Sequence, residues 1–137
     1  MDGECFLGDR YRGTRFLLVY RYTRLVTMAF AEEAVRIREL GHLTDRDIAR
    51  ATGAGVSTVG AWLRRTRSPR GQRAERVAEL SAIVERLAWV IDPRYIPVWL
   101  HKPMPALDDE KPIDMLARGE WRRVARPISG HESPTFS

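Results

Sequence analysis

The side chains best able to do chemistry in this sequence are three histidines, one cysteine, an acidic triplet and a cluster of arginines. Histidine ligates metals and moves protons. His42, His101 and His131 are far apart, and no pair has ligand spacing on one helix. Cys5 stands alone, so neither a zinc cluster nor a disulfide framework can be built, which fits a reducing cytoplasm. Asp108, Asp109 and Glu110 could in principle act as acid and base, but a consecutive run reads as a solvated turn. There is no glycine-rich phosphate loop and no strand–turn–helix nucleophile elbow. The expectation is a protein that is not an enzyme and needs neither metal nor cofactor.

The arginines are the remaining candidate. The net charge is +5, and residues 71–137 are balanced at ten basic and ten acidic side chains, so the excess lies in the first 70 residues. The densest basic stretch, Arg64, Arg65, Arg67, Arg70, Arg73 and Arg76, straddles that boundary, with Glu75 the only acid among them. Such a cluster suits phosphate backbones, and it also suits a plain solvated face. Lys102 and Lys111 are the only lysines, a bias that fits a GC-rich genome better than a chemical need.

The arginines follow a helix-turn-helix pattern over residues 45–64. Ala49 is the small residue where two helices cross, Gly53 the turn residue free to take positive φ, and Val59 and Trp62 the anchors of the second helix. Thr44 reads as an N-cap answered by Asp47, with Leu43 and Ile48 as a hydrophobic staple. The exposed start of the second helix should carry Gly55, Ser57, Thr58, Gly60 and Ala61, with Val56, Val59 and Leu63 facing inward. Ser57 and Thr58 can donate to bases or phosphates, and Arg64, Arg65 and Arg67 can neutralise phosphates. None offers a bidentate fork at the start of that helix, so the surface predicts weak or partner-assisted DNA binding. A helix-turn-helix kept only as scaffold is the competing reading.

Upstream, Phe30, Ala34, Ile37 and Leu40 repeat at helical spacing, and Gly41 should end that helix in the left-handed region. Downstream, Val77, Leu80, Val84, Leu87 and Ile91 mark a long helix over about 72–91, either a core helix or a dimer seam. Beyond Pro93 the prolines predict short helices at about 96–101, 112–118 and 120–126, and the polar stretch 127–137 should be disordered alone. Residues 1–27 read poorly. They are either an extension with a strand through 16–22 or the product of a start assigned too early, with Met28 the true one; the second is favoured. No apolar run approaches the roughly 20 residues of a membrane span. The run Phe16-Leu17-Leu18-Val19-Tyr20 is too short for one and lacks a secretory cleavage site.

The residues Trp99-Leu100, Pro103, Leu107, Lys111-Pro112, Asp114, Leu116, Gly119 and Arg123-Val124 fall in an order and spacing that resemble the toxin-binding domain of Xre/MbcA/ParS-type antitoxins. With the upstream helix-turn-helix and long helix, the resemblance covers about residues 30–126. It implies an all-α fold: an Xre-like helix-turn-helix bundle (28–70), a long connecting or dimerising helix (71–92), a small helical toxin-binding domain (93–126) and a flexible tail (127–137). It implies a cytoplasmic antitoxin that covers the active site of a RES-domain, NAD⁺-consuming toxin encoded nearby. Homodimers or higher assemblies and operator binding accompany this in the family. The toxin-facing residues on this reading are Trp99, Leu100, Pro103, Leu107, Pro112, Trp121, Arg122, Ile128 and Phe136, and the short helices carry more apolar surface than they can bury among themselves. Three departures stand out. Met104 replaces a usual Asn, Asp108-Asp109-Glu110 replaces a loop containing Gly, and Pro127 falls inside a helix that normally continues. A stand-alone Xre-type regulator is the alternative, and a scaffold or polar-localisation adaptor a third reading.

Overall fold

The computed structural model describes residues 29–132; the readings of 1–27, of a strand over 16–22 and of a start at Met28 fall outside the described residues, as does Phe136. Seven α-helices account for nearly all regular structure among these residues. They are α1 (29–41), α2 (Asp45–Thr52), α3 (Val56–Leu63), α4 (Gln72–Val90), α5 (Ile96–His101), α6 (Pro112–Ala117) and α7 (Trp121–Glu132). Short 3₁₀ turns, Pro93–Tyr95 and Pro105–Leu107, lead into α5 and towards α6. The fold is all-α, as the sequence predicts.

Apolar spacing builds α1: Ala34 and Ile37 are fully buried. The left-handed residue after it is His42, with φ 52°, and not Gly41, which is still helical. Gly41 serves packing instead. A Cβ there would meet Val84 Cγ1 at 3.1 Å, so α1 approaches α4 this closely only because the side chain is missing. His42→Gly should therefore raise stability, by about 0.5–1 kcal/mol, because the left-handed strain removed exceeds the entropy that glycine adds to the unfolded chain. A thermal melt checks this, and a lower midpoint would mean that the imidazole holds something worth more than the strain.

The start of α2 is set by reciprocal capping. Asp47 N–H donates to Thr44 Oγ1 at 3.2 Å, and Thr44 N–H donates to Asp47 Oδ2 at 3.0 Å. Leu43 and Ile48 are both buried, as a staple requires. Gly53, at φ 74°, ends α2 with its N–H on the Ala49 carbonyl. After the Gly53-Ala54-Gly55 turn, α3 anchors itself through Val59 and Trp62, which are 0% and 2% exposed. Two expectations for α3 need correction. Gly60 and Ala61 are buried, and Val56 is exposed, because packing against α2 rotates the inward face towards Val59, Gly60 and Trp62.

The stripe of α4 is spent inside the chain. Val77, Leu80, Ile83, Val84 and Leu87 are all buried in a core that draws on every helix and includes Leu100, Leu107, Leu116, Val124 and Ile128. The stripe thus works as a core helix, with Ile91 at its end only partly buried. The core is also continuous: α2 packs on α6 as well as on α3 and α4, while α4 packs on α7. The α2–α3 half and the 93–126 half share one interior.

The proline reading holds for α5 and α6, where Pro97 and Pro112 occupy the first turn. It fails at Pro127, which lies inside α7. An interior proline costs about 3 kcal/mol or more. Here Trp121, Val124, Ala125 and Ile128 recur at i, i+3, i+4 and i+7, and the last three are buried, so tertiary burial carries the helix past the break. The stretch 127–132 is thus part of the folded helix and not a tail.

Candidate interaction surfaces

The predicted toxin-facing residues divide sharply in the structure. Leu100, Leu107, Pro112 and Ile128 are buried in the chain's own core, so they hold the surface in place and cannot form it. Trp99 and Trp121 are half-buried, while Pro103 and Arg122 are exposed. Arg122 lies over the Trp121 ring, with its guanidinium carbon 5.6 Å from the centroid. Met115 and Leu116 are core as well.

The exposed apolar residues lie elsewhere. Trp89 is 87% exposed, and Tyr95 and Val98 are each 61% exposed. Tyr95, the residue just before α5, and Val98 in its middle are three residues apart, opposite the buried Ile96 and Leu100. Trp89 falls two residues beyond the last buried stripe position of α4, which turns it to the far side of that helix. Sequence reasoning missed all three. The signal for Trp89 was available: a tryptophan off an otherwise complete heptad stripe is a tryptophan with no place in the core.

The loop between α5 and α6 is held by charge. Asp108 and Asp109 both take left-handed backbone, with φ 57° and 61°, a region where Asp is tolerated and Gly is at ease. Asp108 accepts from Arg123 at 2.8 Å, and Arg118 bridges Glu110 and Glu120. The hydrogen bonds from Arg118 and Arg123 hold the Glu120 carboxyl below its ordinary pKa. The acidic triplet is therefore an ion-paired turn. Among the described residues no three His, Cys, Asp or Glu are grouped to hold a metal.

Two contacts join α2 to the later helices. His101 Nε2 lies 2.7 Å from Asp47 Oδ1, and Arg50 pairs with Asp114 at 2.6 Å. Burial pushes the Asp47 pKa up, but the Thr44 N–H and His101 outweigh it, and the net shift is downward. A carboxyl depressed in the folded state adds stability above its unfolded pKa and loses it as pH falls through the folded value. Asp47→Ala should lower stability near neutrality by about 1–2 kcal/mol. It should also flatten the fall in melting temperature below about pH 4. Parallel acid and neutral melts of the two proteins check both parts; equal acid sensitivity would remove Asp47 from the titration.

On the basic side, Ser57, Arg64, Arg65 and Arg67 are exposed and Thr58 is half-buried. Arg65 is already engaged: its guanidinium forks onto Glu32 at 2.9 and 3.1 Å, tying the end of α3 to α1. Arg64 lies along its own helix, where a Cβ on Gly60 would meet its Nη1 at 3.1 Å. Of the predicted phosphate ligands, Thr58 and Arg67 line one cleft, described below.

Among the described residues the chain is a small all-α protein whose surface carries ion-paired arginines and the exposed large apolar side chains of Trp89, Tyr95 and Val98. No protein-family profile matches the chain. It is 32% identical over 82 residues to a probable mycobacterial cidal antitoxin of Mycobacterium tuberculosis, covering 60% of this chain and 70% of that one. It is 30% identical over 100 residues to the mycobacterial cidal antitoxin MbcA of Mycobacterium bovis, covering 73% of this chain and 88% of the relative. A chain in the crystal structure of the M. tuberculosis MbcT–MbcA toxin–antitoxin complex superposes with a TM-score of 0.69 at 25% identity, over 78% of this chain and 96% of that chain. The chain belongs to the mycobacterial cidal antitoxin family.

Proposed function

We propose that this protein is a cytoplasmic antitoxin that binds a RES-domain toxin encoded nearby, covers its active-site entrance and so stops NAD⁺ consumption. The observation that carries the reading is Trp89, left 87% exposed on a family scaffold whose core is otherwise complete. A monomer gains nothing by holding an indole in water, whereas tryptophan is a favoured anchor at protein interfaces. Tyr95 and Val98 extend the apolar contact, and Trp99, Pro103, Trp121 and Arg122 supply its more polar part. In this reading the α2–turn–α3 unit is a helix-turn-helix that binds operator DNA and lets the complex repress its own operon.

The test is cellular NAD⁺ on expressing the product of the adjacent reading frame, with and without this chain. NAD⁺ should fall without the chain and be preserved with it. If NAD⁺ does not fall, or falls equally in both cases, the RES-toxin inference fails and a stand-alone Xre-type regulator becomes the leading reading.

A further inference from the structure

The largest concentration of unpaired positive charge lies where α3 hands over to α4. Among the described residues, ion pairs occupy Arg36, Arg38, Arg50, Arg65, Arg76 and Arg94, and also Arg118 and Arg123. Arg64, Arg67, Arg70 and Arg73 have no carboxylate partner among the described residues, although acidic residues are plentiful elsewhere. Three of these four, Arg67, Arg70 and Arg73, line a single open cleft of about 410 Å³. Thr58, Thr66 and Ser68 complete its polar wall, with Trp62 beneath them. No acid lines it. Thr66 donates back to the Ala61 carbonyl, and the hydroxyls of Thr58 and Ser68 make no such bond among the described residues.

Arg73 makes the charge harder to explain by stability alone. It stands in the first turn of α4, a helix of 19 residues whose N-cap, Gly71, has no side-chain capping bond. The amide dipoles make that end of a helix positive, so a cation there is unfavourable and an anion is welcome. Glu75, in the same first turn, is exposed and does not line the cleft, so within the cleft the mutual repulsion of the three arginines is unanswered among the described residues.

We infer that this cleft seats phosphate oxygens of a duplex DNA backbone, and that it supplies most of the affinity of the helix-turn-helix. The inference rests on the DNA-binding part of the function proposed above and is independent of toxin neutralisation. Thr58 joins the two surfaces, since it lines the cleft from the first half of α3, next to the exposed Ser57. A duplex laid along the start of α3 therefore reaches Arg67, Arg70 and Arg73 with its backbone. The exposed part of α3 offers small side chains, and the cleft offers charge. Binding should be strong in salt dependence and weak in sequence preference.

The experiment uses the full chain, labelled duplexes of arbitrary sequence, and fluorescence anisotropy over a range of salt. The triple variant Arg67→Ala, Arg70→Ala, Arg73→Ala should melt as the parent does, because all three side chains are exposed. Its slope of log affinity against log salt should fall by roughly 3, with a loss of about a hundredfold or more near 0.1 M salt. Arg126→Ala, an exposed cation away from the cleft, should leave the slope unchanged. An unchanged slope in the triple variant overturns the inference while leaving operator binding through another face possible. A parent chain that binds no duplex even at low salt also overturns it. Tripolyphosphate is the second probe: tight stoichiometric binding lost in the triple variant, without duplex binding, makes the cleft a small-anion site and excludes DNA as its occupant. Toxin neutralisation by the triple variant should match the parent, so a failure here is separable from a failure of the antitoxin reading.

Discussion

Trp89→Ala should leave the thermal stability of the free chain essentially unchanged and weaken toxin binding by about 2 kcal/mol or more, roughly thirtyfold. The two halves of that expectation come from one fact. An indole that is 87% exposed has little buried area to lose in the monomer, so truncating it opens no cavity. In a complex the same indole would bring one of the largest apolar surfaces available to any side chain. Trp62 provides the contrast. It is 2% exposed, and Trp62→Ala should cost about 3–5 kcal/mol of stability before any effect on binding is considered. Titration calorimetry with purified toxin, and the concentration of antitoxin that halves NAD⁺ consumption, read the Trp89 variant. Wild-type affinity in both assays would move the interface away from this surface.

The contrast between the two tryptophans also shows what the sequence could and could not reveal. Helix starts were legible because their chemistry is local: Thr44 and Asp47 need only each other, and Pro97 and Pro112 need only a first turn. The buried stripe of α4 was legible because its period is regular. Helix ends were less so. Gly41 carries the usual signature of a left-handed terminus, but the close approach of Val84 uses its missing side chain for another purpose and leaves the left-handed turn to His42. Which apolar residues stay exposed was the least legible. Leu100 and Val98 look alike in the sequence, yet one is fully buried and the other 61% exposed. The difference is the position of α5 against the rest of the core, which no pattern within α5 records. Arg65 is a parallel case: its charge is evident from sequence, but its pairing with Glu32 across 33 positions is not.

The same reasoning decides how the end of the chain should be tested. Read from the sequence, Pro127 opens a loose tail, and removing residues 127–137 would isolate the tail's part in neutralisation. In the structure that cut would remove a turn of α7 and Ile128, which is 2% exposed in the common core. Ile128→Ala alone should lower stability by about 2–4 kcal/mol, since it empties a site that the surrounding helices cannot fully close. The loss is large for a chain of this size, because whole domains are commonly stable by only about 5–15 kcal/mol. A chain ending after Glu132 should keep the parent's denaturant midpoint, because every buried residue of α7 is retained. Urea unfolding of both variants separates the cases, and a parent-like midpoint for Ile128→Ala would mean that α7 past the proline adds nothing to the core. The shorter cut then becomes the proper probe of residues 133–137 and Phe136. If that protein folds as the parent does but no longer protects NAD⁺, those last residues act on the toxin directly. If it still protects, neutralisation rests on the folded surface around Trp89, Tyr95 and Val98, and α7 contributes by holding that surface rigid.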